Sequence, residues 1–577
     1  MNSPLRRIAG VILLFSTSLF AANPLTDYVD WRYHPPHMQV REIQGLQERI
    51  RDGKLHLHLH DFLELVLKNS TGIQISRLDV YTAANSIISN KAPYDPLLQA
   101  GFSAQRSVSP VSFFGFGTSG TSTGSTSATG TSSNAQPGQA SGIGTSLTGQ
   151  IILPQTISSL SQNTYINYSQ LLPSGQTITG NFTVYRSSGD EYPYPALFGS
   201  LSIGVTQHLL QGRTNIQARY PLLVARSQLL ITSEQTAASV ADIVTQAARQ
   251  YWNAVELRDN IRVQEQNVNL ARKSYDRDKQ ALDLGALARL DIFQSETQVA
   301  ERNRYLIAAR YQYKIALDAM RQLIGADLTP ALRETEIVLE DDPAELPPRE
   351  SILPFEQALK KAMNVRPELL ATQQSIANDN LNARIARDQL NPQLDLTLQG
   401  GATGPAYPAL TASGTPVSGG LPGIGPTLDQ VLAFKYPSYG FTLALNFPLR
   451  NSTAKAGLSN ALVSRVKDEY TRRQTQQTII NDVRQAINNI ELADASIEAA
   501  VRARDLARKN VAAEQQKYEL GTITAFEVLD SQTRLASSES ALLAAYVTYQ
   551  QAYIDYQRAT WSLLDGFGIV VETPVVR

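Results

Sequence analysis

The stretch YELGTITAFEVLD, residues 518–530, interrupts what otherwise reads as one helix from about Thr453 to Leu564. Gly521 is the only glycine between Leu458 and Asp565. A lone glycine in so long a helical run marks the place where the backbone can take a positive φ. The sequence therefore predicts a reversal there, with two long helices joined at a tight tip. Glu527 and Asp530 follow three residues apart, which puts both carboxylates on one face of the second helix. Two acids so placed are either a solvated helix face or the lining of a charged passage, and spacing alone does not choose between them.

The same pattern occurs once before. LGALARLDIFQSETQVAERNRYLIAARYQYKIALDAM from Leu284 aligns without a gap on LGTITAFEVLDSQTRLASSESALLAAYVTYQQAYIDY from Leu520. Gly285 meets Gly521, Ser295 meets Ser531 and Tyr313 meets Tyr549. Upstream, SLSIGVTQHLL from Ser200 resembles GFTLALNFPL from Gly440, and Asp95-Pro96 falls on Asn391-Pro392 within a longer matching segment. The chain thus divides into an N-terminal segment, 1–22, and two repeats, 23–340 and 341–577. Each repeat runs helix, strand region, very long helix, glycine turn, second long helix. The connection between them, about residues 326–354, contains EDDPAELPPRE, too rich in proline and acid for a core element.

The very long helices are expected over about 213–284 and 454–520, each on the order of 100 Å at 1.5 Å per residue. Such lengths suit a coiled-coil cylinder better than a globular core. Val528, Leu535, Leu542, Tyr549, Tyr556 and Leu563 recur every seventh residue, and Ser531, Ser538, Ala545, Ala552 and Ala559 follow three positions on. Ile292, Val299, Leu306, Tyr313 and Met320 repeat the large stripe in the first copy. An ordinary helical bundle would also explain these stripes, but not the duplicated strands.

Those strands alternate. Phe441, Leu443, Leu445 and Phe447 oppose Thr442, Ala444 and Asn446, while Leu394, Leu396 and Leu398 oppose Asp395, Thr397 and Gln399. Leu201, Ile203 and Val205 likewise oppose Ser202, Gly204 and Thr206. A period of two marks one apolar and one wet face, over roughly the ten residues that a tilted strand needs to cross an outer membrane. A soluble sandwich would show the same alternation. Each repeat supplies about a strand pair, and closed barrels begin at about eight strands. Several chains must then contribute sectors, a trimer with about twelve strands being the simplest ring. In the first repeat a Ser/Thr/Gly-rich insertion from Gly115 reads as an exposed loop, and about residues 164–186 read as a further hairpin that either extends the barrel or adds strands to it.

Composition narrows the chemistry. The 577 residues carry a net charge of −1, against a nucleic-acid partner, and contain no cysteine, which removes disulfides, thiol catalysis and a lipidated N-terminal cysteine. Arg6 and Arg7, an apolar run from Ile8 to about Phe20, then Ala21 and Ala22 read as a secretory signal peptide. HLHLHD at His56–Asp61 is the one metal-like cluster. On a strand its histidines would share a face, but it reads better as the start of a helix with Asp61 near its N-terminus. No nucleophile elbow, phosphate loop or dinucleotide fingerprint is present, so neither an enzyme nor a cofactor is expected.

The two G-x-x-x-x-[LF]-[DE]-[IV]-[LF] turns at Gly285 and Gly521, with RPEL at Arg366, YDP at Tyr94 and NPQL at Asn391, make the chain similar to the TolC-like outer membrane efflux proteins over nearly its whole mature length. The resemblance implies a mainly α fold with membrane β: a duplicated long-helix periplasmic barrel and a transmembrane β-barrel built by a homotrimer. It implies an outer membrane location among outer membrane lipid, with a large periplasmic portion. It also implies a passive duct joined through a periplasmic adaptor (membrane fusion) protein to an inner-membrane transporter. Glu527 and Asp530 match an acidic pair at the periplasmic entrance, and Tyr518 and Asp291 match residues that hold neighbouring coils together there. Ile523 stands where a base is expected, with Arg289 as a substitute. Gly285, Leu287, Gly521 and Thr522 fall at the tips that meet the adaptor. The competing reading is a non-conducting periplasmic coiled coil that tethers the envelope.

Overall fold

The structure, a computed structural model, describes residues 40, 43–110, 156–189, 192–284, 289–328, 330, 333–406 and 424–566. The signal segment and the Ser/Thr/Gly-rich insertion lie outside these residues. In chain order the elements are β1 (Ile50–Arg51), β2 (Lys54–Leu57), α1 (Leu59–Asn69), α2 (Thr71–Ser89), β3 (Leu97–Pro110), β4 (Thr156–Leu171), β5 (Thr177–Gly189) and β6 (Tyr192–His208). Then come α3 (Ile216–Asp283), α4 (Arg289–Ile324), β7 (Glu336–Leu339), α5 (Phe355–Val365), α6 (Pro367–Asp388), β8 (Gln393–Ala406) and α7 (Ile424–Leu432). The chain continues through β9 (Tyr436–Asn446), α8 (Ser452–Glu519), α9 (Ala525–Ala559) and α10 (Leu563–Gly566). The long helices α3 and α8 each have 68 residues, within a few residues of the ranges expected from sequence.

One compact unit comprises residues 1–76, 239–362 and 481–570. Its helices pack along small residues: Ala241, Ala247, Ala248 and Ala254 of α3 are fully buried, which lets neighbouring backbones approach closely. The heptad stripe of the second repeat is interior throughout, with Val528, Leu535, Leu542, Tyr549, Tyr556 and Leu563 all buried. In the first repeat Leu306 and Met320 are buried, while Ile292, Val299 and Tyr313 are half-buried. Cross-helix ion pairs flank the seam, Arg249 to Asp555 at 2.5 Å and Arg310 to Glu265 at 2.7 Å.

A three-stranded sheet, β1-β2-β7, closes one part of this unit. β1 and β2 are antiparallel, whereas β2 and β7 are parallel. β7 is an element that the sequence reading passed over inside the connection between repeats; four residues, Glu336–Leu339, are too few for alternation to show. Ile337 and Leu339 are buried beside Leu55 and Leu57. Tyr251 of α3 is wholly buried there, its ring tilted against that of Phe62 at 5.8 Å between centroids, and donates its hydroxyl to Leu57 O at 3.0 Å. Burial pushes its phenol pKa far up, which keeps the hydroxyl a donor.

The other unit comprises residues 77–238, 363–480 and 571–577. It holds one antiparallel sheet in the order β3-β4-β5-β6-β8-β9. Where the repeats alone suggest about four strands, the described residues form six. The hairpin near 164–186 is β4 and β5, seated between β3 and β6 as additional strands rather than as an extension of existing ones.

Register assigns the paired strand residues to a face. Phe102, Ile166, Phe182, Leu201, Leu396 and Leu443 lie on one side; Ser103, Asn163, Thr183, Ser200, Thr397 and Thr442 lie on the other. The polar side is stitched by cross-strand hydroxyls, Thr183 to Ser200 at 2.6 Å and Thr206 to Thr397 at 3.0 Å. On the apolar side α7 lies against β6 and β8, burying Thr427 and Val431. Gly199 and Gly404, directly opposite in the ladder, make the room: a Cβ on either would come within 2.6 Å of Thr427. Among the described residues no helix is long and apolar enough to cross a membrane.

Candidate functional site

The second hairpin tip is built as the sequence demands. Gly521 has φ +73°, its N–H donates to Tyr518 O at 2.9 Å, and the Thr522 N–H donates to Lys517 O at 3.0 Å. This pair of bonds ends α8 in a Schellman turn, which needs a left-handed residue and so selects glycine. Three residues later Thr524 caps α9 in a capping box, its own N–H donating to Glu527 Oε2 at 3.1 Å. Gly521 and Thr522 are exposed at the turn. Gly285 and Leu287 of the first tip lie outside the described residues, as do the side chains of Arg289 and Asp291 at the start of α4.

The two acids of the opening stretch have different local roles. Glu527 is exposed and closes the cap. Asp530 is half-buried and pairs with Arg534 one turn on, at 2.8 Å. They share a helix face as the spacing required, but each has a neighbour that the spacing did not reveal.

Tyr518 has a partner that the sequence comparison did not name. Its hydroxyl donates to Asp278 Oδ1 of α3 at 3.2 Å, and the Arg277 guanidinium lies 4.4 Å from its ring centroid. Ser295 of α4 donates to the other Asp278 oxygen. Asp278 is 2% exposed, so one buried carboxylate ties α3, α4 and α8 together close to the tips. Asn267, Ala271, Ser274 and Asp278, all buried, continue one seam at alternating spacings of four and three. A carboxylate on that seam was the signal that could have found Asp278.

The histidine run spans the end of a strand, which holds His56, and the start of a helix. β2 ends at Leu57, His58 is the N-cap residue of α1, and Asp61 lies in its first turn. His56 Nδ1 is 2.7 Å from Glu340 Oε1, His58 Nε2 is 2.7 Å from Glu340 Oε2, and His58 Nδ1 is 2.8 Å from Asp341 Oδ1. Asp341 also accepts the Leu59 N–H at 2.7 Å. These imidazoles are spent on carboxylates, and among the described residues no group of three or more is arranged to hold a metal ion.

The hydrogen bond to Asp341 raises the His58 pKa, against a smaller opposing effect of burial. A raised folded-state value stabilises the junction below the ordinary histidine range, and that contribution is lost as pH rises through the raised value. Amides of the first turn of α1 should therefore be better protected from hydrogen exchange at pH 6 than at pH 8, after correction for intrinsic rates. His58→Gln should abolish the difference. Equal protection at both pH values in the wild type would refute the linkage.

With this geometry in view, known proteins can be compared. The sequence pattern of the family described as Outer membrane efflux protein matches residues 177–326 and 358–560, well over half the chain. The chain belongs to the outer membrane efflux protein family. Outer membrane efflux protein BepC of Brucella suis biovar 1 (strain 1330) is 24% identical over 454 residues, covering 74% of this chain and 88% of the relative. Outer membrane protein TolC of Escherichia coli (strain K12) is 25% identical over 333 residues, 55% of this chain and 63% of the relative. The CmeC outer membrane channel of Campylobacter jejuni superposes with a TM-score of 0.58 at 11% identity, covering 92% of this chain and 94% of that one, a likeness of fold. This efflux family places the protein in the outer membrane with a large periplasmic part, in transport. It is a family of channels rather than of enzymes.

Proposed function

We propose that the chain is one third of a passive duct through the outer membrane and periplasm, coupled to an inner-membrane transporter through a periplasmic adaptor. The observation that carries this is the six-stranded sheet. It has one apolar and one polar face, yet among the described residues β3 and β9 each pair on one side only. All eleven residues of β9 are exposed, including Tyr439, Phe441, Leu443 and Leu445 on the apolar face. An unpaired edge with an exposed apolar face is a liability in water and an assembly surface in lipid. β9 of one copy against β3 of the next, antiparallel, closes the ring, and three copies make eighteen strands.

The tips support the coupling. Thr522 stands exposed at a chain reversal that the sequence repeats, the kind of protrusion a second protein can clasp. Glu527 and Asp530 are the proposed acidic lining of the entrance, and the Asp278–Tyr518 tie the proposed link between its coils.

Native mass spectrometry in mild detergent should return a trimer, and the trimer should conduct in a planar bilayer. A photo-crosslinker at Thr522 should capture a periplasmic protein in cells, while one at Gln476 in the middle of α8 should not. A monomer would overturn the ring. A trimer without conductance would favour the tether reading.

A further inference from the structure

Only two charged residues lie on the apolar face of the six strands, by the described register: Arg106 and Arg186. Both are exposed, and among the described residues neither has a carboxylate against it. Their heights agree. Counted from the helix-linked or turn-linked end of its strand, Arg106 is the tenth residue of β3 from Leu97, and Arg186 the tenth of β5 from Thr177. A tilted strand crosses the hydrocarbon in about nine to eleven residues, so both guanidinium groups stand where the far interface falls.

On this face the intervening strand is mixed, with Thr164 and Gln162 between Ile166 and Leu160, so a polar side chain stands between the two arginines. Gln162 of β4 lies between Ala104 and Arg186 in the ladder, and Leu160 lies between Arg106 and Ser188. Toward the helix-linked end the same face continues with Ile166, Phe182 and Leu201. By strand spacing and rise the two arginine Cα atoms are about 12 Å apart, within joint reach of one headgroup. Arginine at mid-bilayer depth is strongly unfavourable, whereas at an interface it costs little and matches phosphate with two parallel hydrogen bonds.

We propose that Arg106, Arg186 and Gln162 form a binding site for the phosphorylated headgroup of an outer-leaflet lipid, one site per chain. The site would fix the height of the sheet in the membrane. The inference rests on reading the sheet as a sector of a membrane barrel with its apolar face toward lipid.

The test uses the full-length trimer in mild detergent, with native mass spectrometry as the readout. The probes are a bis-phosphorylated glucosamine-disaccharide lipid, the same lipid with its phosphates removed, and inorganic phosphate. Wild type should hold the phosphorylated lipid about tenfold more strongly than the dephosphorylated one, and Arg106→Gln/Arg186→Gln should remove that preference. Arg106→Lys/Arg186→Lys, which keeps the charge without the planar fork, should keep part of it and stands in should the glutamine variant fail to assemble. Equal retention of both lipids by wild type, or displacement by millimolar inorganic phosphate, would overturn the proposal. So would full preference in the glutamine variant. Planar-bilayer conductance separates the two readings: a conducting wild type indifferent to lipid phosphate sinks only this inference, and a non-conducting one sinks the barrel.

Discussion

Asp278→Ala should raise the open probability of the reconstituted channel about ten- to a hundredfold. One buried carboxylate accepts from Tyr518 and from Ser295, joining α8 of the second hairpin to both helices of the first. A hydrogen bond to a charged acceptor contributes about 1.5–3 kcal/mol, and about 1.4 kcal/mol shifts an equilibrium tenfold. Alanine removes the tie and leaves two hydroxyls that water must satisfy, which favours the state in which the hairpins part. Tyr518→Phe should do less, because it deletes one bond and keeps the ring under Arg277. Single-channel recording gives the open probabilities. A folded Asp278→Ala trimer gating like the wild type would show that the tie is structural only.

Glu527→Gln/Asp530→Asn should weaken block by a trivalent cation by about tenfold or more and lower cation selectivity. Three copies would bring six carboxylates to the entrance, and rings of acids in a narrow pore attract cations and hold multivalent ones. The Arg534 beside Asp530 offsets part of that field, so Glu527 should carry the larger share. The amide variant is preferable to alanine, since glutamine keeps the capping box, whereas loss of a cap would cost about 1 kcal/mol and confuse the result. Reversal potential in a salt gradient, with and without the trivalent ion, reads both effects. Unchanged values would return the two residues to a solvated helix face.

Much of the architecture was legible because it repeats. Gly521, the heptad from Val528 to Leu563 and the alternation in Phe441–Leu445 each state a local rule that the structure obeys. Short or partnered features were harder to read. β7 is held by β2, far away in sequence, and nothing in EIVL announces that. The capping role of Glu527 is written in Thr524 three residues earlier, whereas the spacing of Glu527 and Asp530 speaks only of charge. Asp278 carries no motif of its own: it is a single carboxylate on a helix seam, away from the aligned tip residues. The strand count depended on where the β4–β5 hairpin inserts, which only the register shows.

That inserted hairpin bears on what the membrane section can sieve. A barrel's diameter grows roughly in proportion to its strand number, so the proposed ring of eighteen strands would have a bore roughly half as wide again as one of twelve. The polar face, the proposed inner wall, is rich in hydroxyl and amide side chains, and on the described strands its only ionisable acid or imidazole side chains are Asp395 and His208, bound to each other at 2.6 Å. A broad, electrically quiet wall touches few of the solutes that pass and is indifferent to the sign of their charge. If the proposed ring forms, discrimination among cargoes has to be exercised before they reach the bilayer.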